Sequence, residues 1–233
     1  MKLRDLKGLF ETRDIELIKI NDMEEDAVEF NFSTKNVSTW RPGEHGAFTL
    51  PGRGVKGKRF RGFSIASVPE EGVLKIATRI GKEPSSFKHI LRNLNPGETV
   101  RLRGPFGWFT LQDEISPIVL VAAGIGIAPI RALFRELEKG NERSVILIYS
   151  AKEKHIYKNL ISNIAENDKH IKTHFVHTKE ESIIILNKTV AEFGNKAYYY
   201  ISGTPKMIKD TRKKLKSAKI KAARIITDPF YGY

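Results

Sequence analysis

Two short stretches of this 233-residue chain carry residue types whose spacing suits chemistry. The first is Gly124-Ile125-Gly126-Ile127-Ala128-Pro129, set between an apolar run and an amphipathic one. Glycine has no Cβ, so at Gly124 and Gly126 the backbone can turn sharply and approach a ligand, while the N–H groups opening the next helix point at an anion. Pro129 suits a first helical turn, where a missing N–H costs little. This is the form of a phosphate-binding turn for a nucleotide; a glycine turn used only for its geometry is the plainer alternative. The second stretch is Arg61-Gly62-Phe63-Ser64, two residues after the basic, glycine-rich loop 51–58, PGRGVKGK. Arg61 offers paired N–H donors to a diphosphate, Phe63 a face for a flat ring, and Ser64 a hydroxyl for the ring's edge. Taken singly, each has a blander reading as a surface charge, a core aromatic or a strand serine. Together they describe a site for a planar, phosphorylated cofactor.

The elements around the first motif alternate. The run 117–123 is continuously apolar, as in a buried parallel strand, and Ile130, Leu133, Phe134 and Leu137 follow at helical spacing. The pattern predicts helix 129–139, strand 144–149, helix 156–165 and strand 171–177, then a short helix near 188–193, strand 197–201, helix 205–217 and strand 223–227. Such alternation implies a parallel sheet with helices on both faces, in which ligands bind beyond the carboxyl ends of the strands. Gly124, Ser150 and Ser202 each follow a strand end, which places all three on one rim. The N-terminal half has another rhythm, with short runs at 16–20, 27–33, 47–50, 60–67, 73–80 and 99–103 separated by Gly, Pro and charged turns. That spacing predicts an antiparallel barrel or sandwich. One helix, 85–93, interrupts it, with Ser85 and Ser86 as N-cap residues. Composition changes over 112–117, giving two domains, 1–113 and 114–233.

Bulk properties narrow the chemistry. Apolar residues make up 40% and charged residues 29%, and no apolar run approaches the roughly 20 residues that span a bilayer. The N-terminus mixes charges into its apolar positions and offers no signal-peptide core, so a cytoplasmic, non-membrane location is expected. Cysteine is absent, which excludes disulfides, thiolate metal sites, iron–sulfur ligation and cysteine nucleophiles. Redox chemistry then needs a bound organic cofactor. A formal charge of +13 attracts acidic partners of any kind. The eight basic residues between Lys206 and Lys221 decorate a helix whose Met207, Ile208, Thr211 and Leu215 face inward. With no aromatic residues interleaved, they read as a solvated face and not as a nucleic-acid patch. His170, His174 and His177 fall on or beside one strand, but alternation splits them and no carboxylate completes a set, so no metal site is expected.

In order and spacing, these motifs resemble the ferredoxin-NADP reductase-like flavoproteins. That family has a barrel with an Arg-x-Tyr-Ser motif, a Gly-x-x-Ser segment opening a helix, a Gly-Thr-Gly-x-x-Pro turn, a Cys-Gly-Pro-x-x-Met segment and an aromatic near its end. Here they appear as Arg61 to Ser64, 81–86 (GKEPSS), Gly124 to Pro129, 202–207 (SGTPKM) and 228–233 (DPFYGY), over nearly the whole chain. The resemblance implies an N-terminal antiparallel Greek-key β-barrel for a flavin and a C-terminal α/β parallel-sheet domain for a nicotinamide nucleotide. It implies Arg61 on the FAD diphosphate, Phe63 against the isoalloxazine and Ser64 near flavin N5, with Gly62 among the cofactor-binding residues. Ala77, Thr78 and Arg79 would line the ribityl chain and ring, and Ser85 and Ser86 would meet the diphosphate. Gly124 and Gly126 would cradle the nicotinamide cofactor's pyrophosphate, Ser202 would lie by its nicotinamide, Pro129 and Gly203 would be further cofactor-binding residues, and Tyr233 would be the terminal aromatic. Ser64 and Ser202 are the implied catalytic residues. Three positions depart from the pattern: Phe63 stands for Tyr, Ile125 for Thr and Ser202 for Cys. The last two fall where hydride transfer occurs, which implies weak or slow nicotinamide reactivity.

Cofactor choice depends on the segment after the second parallel strand, 149–154, YSAKEK. Ser150 and Lys152 favour the 2'-phosphate of NADP, while Glu153 leaves NAD open. The implied function is a flavin-dependent NAD(P)H oxidoreductase that passes a hydride between NAD(P)H and FAD, and single electrons to an acidic carrier such as ferredoxin or flavodoxin. The alternative is an electron-transfer flavin subunit of a larger complex, such as a hydrogenase or the reductase component of an oxygenase. A basic nucleic-acid-binding protein is the remaining reading.

Overall fold

A computed structural model describes residues 3–6, 8–37 and 39–229. The chain divides into two units, one running to Thr110 and the other beginning at Leu111.

The first unit holds six strands, β1 (Thr12–Asp22), β2 (Ala27–Ser33), β3 (His45–Thr49), β4 (Phe60–Ser64), β5 (Val73–Arg79) and β6 (Thr99–Phe106). They pair antiparallel in the order β4-β3-β6-β1-β2-β5. An isolated bridge between Ile65 and Ile76 joins the two outer strands, so the sheet closes on itself. Alternation drives the closure. In β6, Val100 and Leu102 are buried while Thr99, Arg101 and Arg103 face water, and a sheet with one apolar face must cover it. The core gathers Leu17, Phe30, Phe32, Phe48, Ile65, Leu74 and Leu102. Each such side chain contributes roughly 1.5–3 kcal/mol on burial. Helix α1 (Ser86–Arg92) packs Phe87 and Leu91 into the same core. Its N-cap is Ser85, whose hydroxyl accepts the Lys88 N–H at 3.4 Å. Strand β1 extends beyond the expected 16–20 because its first residues pair with β6 and its later ones with β2.

The second unit holds five parallel strands, β7 (Ile118–Ala123), β8 (Val145–Ser150), β9 (Ile171–Val176), β10 (Tyr198–Ser202) and β11 (Ile225–Thr227), in the order β11-β10-β7-β8-β9. Four helices connect them: α2 (Ile127–Leu137), α3 (Lys158–Glu166), α4 (Lys179–Phe193) and α5 (Pro205–Ser217). Helix α4 corrects the expectation of a short helix near 188–193. It starts at a capping box in which the Thr178 hydroxyl accepts the Glu181 N–H and the Glu181 carboxylate accepts the Thr178 N–H, each at 3.2 Å. Helix α5 is capped by Thr204 and opens with Pro205. It buries Leu215 fully and rests Met207 and Ile208 on the core, leaving its basic residues outward or half-exposed. Among the described residues no helix is long and apolar enough to cross a membrane.

Candidate functional site

The barrel of the first unit has a seam. Its outer strands meet at the Ile65–Ile76 bridge, reinforced by a 2.8 Å bond from Ala66 N–H to the Lys75 carbonyl. Among the described residues no ladder joins β4 to β5 beyond that point. Arg61, Gly62 and Ser64 therefore flank the seam on one side, and Ala77, Thr78 and Arg79 on the other. The start of α1 is tied to both flanks. Lys88 Nζ donates to the Arg79 carbonyl at 2.9 Å, and Ser86 Oγ accepts the N–H of Lys56 at 3.0 Å.

Arg61 is 9% exposed, with its guanidinium 5.5 Å from the centre of the Phe87 ring. Nη1 donates to the carbonyls of Lys58 at 2.7 Å and Phe60 at 3.0 Å. Among the described residues Nη2 and Nε have no hydrogen-bond partner, so one edge of the fork is anchored and the other is on offer. Burial and the charge of Arg61 hold the Lys88 ammonium below its ordinary pKa. Two neighbouring cations in a partly buried seam repel each other until an anion joins them. A planar donor fork beside an ammonium and two serines suits a diphosphate.

Strand alternation sorts the rest of the motif. Arg61 and Phe63 point inward, while Phe60, Gly62 and Ser64 face the other way. Phe63 is 6% exposed and packs its ring edge-to-face against Phe48 and tilted against Phe87, the arrangement of a core aromatic. Ser64 pairs in register with His45 of β3, a residue that the sequence pattern does not single out. His45 is wedged edge-on between Phe106 and Trp108, and its Nδ1 has no partner among the described residues. Burial lowers its pKa to about 4. The Arg79 guanidinium is engaged by Glu25 at 2.5 Å and Asp26 at 3.1 Å, so this residue brings backbone to the seam and not a cation.

In the second unit the chain runs from β7 out to β8 and β9, then returns to place β10 on the other side of β7. The carboxyl ends of β7 and β10 form the switch point, where open α/β sheets bind ligands. One lip is the 3-10 turn Gly124–Gly126, leading into α2 with Pro129 in its first turn. Gly124 has φ +54°, a left-handed conformation that favours glycine. Gly126 has ordinary dihedrals, but a Cβ there would lie 2.5 Å from the Ser202 carbonyl oxygen and 2.6 Å from Gly203 N. Its small size is used against the neighbouring strand end. The other lip is Ser202-Gly203. Register sets Ser202 beside Ala122 and Ser150 beside Ala123, so Gly124, Ser150 and Ser202 do share one rim. Ser150 Oγ donates to the Ala122 carbonyl at 3.3 Å, while Lys152 is exposed.

Ser202 is fully buried, and its hydroxyl donates to Asp228 Oδ2 at 3.0 Å. Asp228 is itself buried and donates its N–H to the Ile201 carbonyl at 3.0 Å. The sequence reading passes over this carboxylate; its signal is its place at the head of the DPFYGY segment. Tyr233 lies outside the described residues. His177 Nδ1 lies 3.1 Å from the Ala151 carbonyl, and His155 Nε2 lies within 3.1 Å of the Tyr149 and Val176 carbonyls, so both histidines brace the loop after β8. Among the described residues no three His, Cys, Asp or Glu side chains gather as metal ligands.

Residues 120–213 match the family model of the oxidoreductase NAD-binding domain. The chain is 30% identical over 145 residues to the reductase component of propane 2-monooxygenase from Mycolicibacterium goodii, covering 60% of this chain and 37% of that one. It is 26% identical over 202 residues to one of the subunits of the Na(+)-translocating NADH-quinone reductase from Neisseria meningitidis, covering 74% and 49%. It thus spans less than half the length of either curated relative. The H286L mutant of ferredoxin-NADP+ reductase from Plasmodium falciparum superposes with a TM-score of 0.81 at 17% identity, over 97% of this chain and 99% of that one. The flavohemoglobin from Malassezia yamatoensis, with bound FAD and heme, superposes with a TM-score of 0.78 at 21% identity, over 94% and 60%. At such identities the structural likeness is one of fold: an antiparallel six-stranded sheet followed by a parallel five-stranded sheet with helices.

Proposed function

We propose that this chain, a member of the ferredoxin-NADP reductase-like flavoprotein oxidoreductases, is a flavin-dependent NAD(P)H reductase, with FAD assigned to residues 1–113 and the nicotinamide nucleotide to residues 114–233. FAD, when bound, would supply the redox chemistry: two-electron exchange with the nicotinamide and one-electron exchange with a carrier. The protein's part is to bind and orient. Arg61 clamps the diphosphate with the guanidinium edge left over from its bonds to Lys58 and Phe60, and Lys88, Ser85 and Ser86 complete the anion site. Gly62 lets the backbone of β4 come close to the ring, and Ala77, Thr78 and the backbone of Arg79 line the opposite flank. Ser64 directs its hydroxyl at the reacting edge of the flavin. Phe63 acts from inside the barrel by fixing the strand that carries Gly62 and Ser64.

In the second unit, the turn Gly124 to Pro129 and the N–H groups at the start of α2 hold the pyrophosphate. Ser202, oriented by Asp228, and Gly203 position the nicotinamide end, and Tyr233 is the terminal aromatic. Ser150 and Lys152 select NADPH over NADH by accepting its 2'-phosphate. The observation that carries the reading is the Arg61 fork, anchored on one edge and open on the other beside a second cation in the barrel seam.

The electron acceptor is an acidic carrier of the ferredoxin or flavodoxin type in the cytoplasm, drawn by the chain's charge of +13. A second reading makes the chain the reductase component of a larger assembly. It is favoured by the names of the two relatives, both of them parts of larger enzymes. One titration tests both. Purified protein loaded with FAD is bleached with NADPH or NADH, then reoxidised by candidate carriers. Faster bleaching by NADPH and full turnover with an added carrier are expected. An NADH preference overturns the cofactor assignment, co-purification with a cluster-bearing protein supports the second reading, and a protein that cannot be loaded with FAD overturns both.

A further inference from the structure

Helix α5 holds a concentration of charge that the fold does not use. Eight basic residues lie between Lys206 and Lys221 against one acid, Asp210, so seven of the chain's +13 sit on 16 residues. Elsewhere the surface pairs its cations: Arg92 with Asp22 and Arg101 with Asp14, each at 2.7 Å, and Lys139 with Glu136 at 2.6 Å. On α5 the one acid is turned to α4, where Lys179 holds it at 3.2 Å. Among the described residues Lys209, Arg212, Lys213 and Lys216 are exposed and form no ion pair. Like charges three and four positions apart on a helix repel, and Lys206 in the first turn opposes the helix dipole, so this stripe weakens the helix that carries it.

The four cations also line a groove of about 790 Å³ beside α5 in the second unit. Pro205 and Ile208 supply an apolar part of its wall, and its one acid, Asp228, is buried and accepts the hydrogen bond of the Ser202 hydroxyl. The cations recur at i, i+3, i+4 and i+7, the spacing of one helix face over about 10 Å. Two turns of a second helix have about that length and about the volume of the groove. We infer that this groove is the docking site for an acidic amphipathic helix of a partner protein, with its carboxylates against the stripe from Lys209 to Lys216 and an apolar side chain against Pro205 and Ile208. Nucleic acid would use the charge but leave the apolar wall unmatched, and no aromatic side chain lines the groove to stack a base. The inference rests on the acidic partner proposed above and gives that partner a place on the chain. None of the four cations is assigned to a cofactor, so it stands apart from the flavin assignment.

The test uses the full chain in three forms. One is wild type, and one is a groove variant combining Lys209→Ala, Arg212→Ala, Lys213→Ala and Lys216→Ala. The third combines Lys19→Ala, Lys35→Ala, Lys169→Ala and Lys172→Ala, and so loses the same charge at exposed positions outside the groove. The probe is a labelled helical peptide of about 15 residues with glutamates at i, i+3, i+4 and i+7 and a leucine beside them, read by fluorescence anisotropy at low salt. An isomer with its glutamates spread around the helix, and a single-stranded oligonucleotide of equal charge, are the comparisons. Wild type should bind the peptide about tenfold more tightly than its isomer, as several exposed ion pairs acting together give, and added salt should weaken the binding. The groove variant should lose about tenfold and the charge-matched control less than about twofold. No binding by wild type, equal loss in both variants, or tighter binding of the oligonucleotide that is lost with the groove cations overturns the inference. FAD loading of the same three proteins should be equal. Its loss in the groove variant alone would place these cations in the cofactor site and overturn the docking role. Failure of all three to load FAD overturns the flavin assignment, and the peptide result still decides the groove.

Discussion

The Ser202 hydroxyl, at the end of β10, donates a 3.0 Å hydrogen bond to the buried carboxylate of Asp228. Both side chains are shielded from solvent, so each depends on the other for part of its stability. Ser202→Ala and Asp228→Ala should each cost about 1–3 kcal/mol, the usual penalty for a buried polar group that loses its partner. The double variant should cost less than their sum by about 1 kcal/mol. Urea unfolding of the four proteins checks this, and strict additivity would mean that the bond contributes nothing.

Arg61 and the basic face of α5 make opposite predictions. Arg61→Ala should weaken FAD binding about 10- to 100-fold, through loss of charge-assisted bonds to diphosphate. Arg61→Lys should recover only part, because an ammonium has no planar fork. Lys206→Ala and Lys213→Ala should leave flavin occupancy at the wild-type level. Equal occupancy in all of these variants would remove Arg61 from the site.

His45 should make the first unit sensitive to mild acid. Its imidazole titrates near 6.5 when the chain is unfolded and at about 4 when folded, because burial disfavours its charged form. Between these values the unfolded chain binds the extra proton, so stability falls as pH drops from 6.5 towards 4, by about 3 kcal/mol in total. His45→Phe removes this contribution. The difference in unfolding free energy between wild type and variant should shrink or reverse against wild type across that interval and be constant above pH 7. A pH-independent difference would mean that the imidazole is not held neutral.

The two glycines of the second unit's turn should fail for different reasons. Gly124→Ala forces an L-residue into the left-handed region at φ +54°, costing roughly 1–2 kcal/mol. Gly126→Ala drives a methyl group against the Ser202 carbonyl, an overpacking cost of about 1–3 kcal/mol. Thermal unfolding should show both losses. Shortening the side chain of Ser202 should not rescue Gly126→Ala, because the clash is with backbone; rescue would show that the contact has been misassigned.

The parallel sheet was legible because strands buried on both faces are continuous apolar runs, as 117–123 and 144–149 are. Strand β1 was only half legible, since its outward residues are charged and Asp14 pairs with Arg101 of the neighbouring strand at 2.7 Å. Helix α4 was obscured by the four consecutive apolar residues from Ile183 to Leu186, which have no helical period; the readable signal was the capping box Thr178-Lys179-Glu180-Glu181. At the candidate site, Arg61 and Ser64 announce themselves by type. Whether Phe63 faces in or out is a matter of which alternate positions of RGFS meet the core, and the motif fits either. The pairing of Ser64 with His45 depends on strand register across a long loop, and Asp228 reaches Ser202 from 26 positions away, so neither could be read from a local pattern.

Gly126 also bears on how such a chain would age. Its lack of a side chain is demanded by the backbone of the adjoining strand, whatever the turn does or does not hold. A descendant that abandoned dinucleotides altogether would still have to keep glycine there. Divergence would instead be free to accumulate at exposed positions such as Lys152, so in a lineage of such proteins the second glycine is a fossil of the architecture and no witness to the trade.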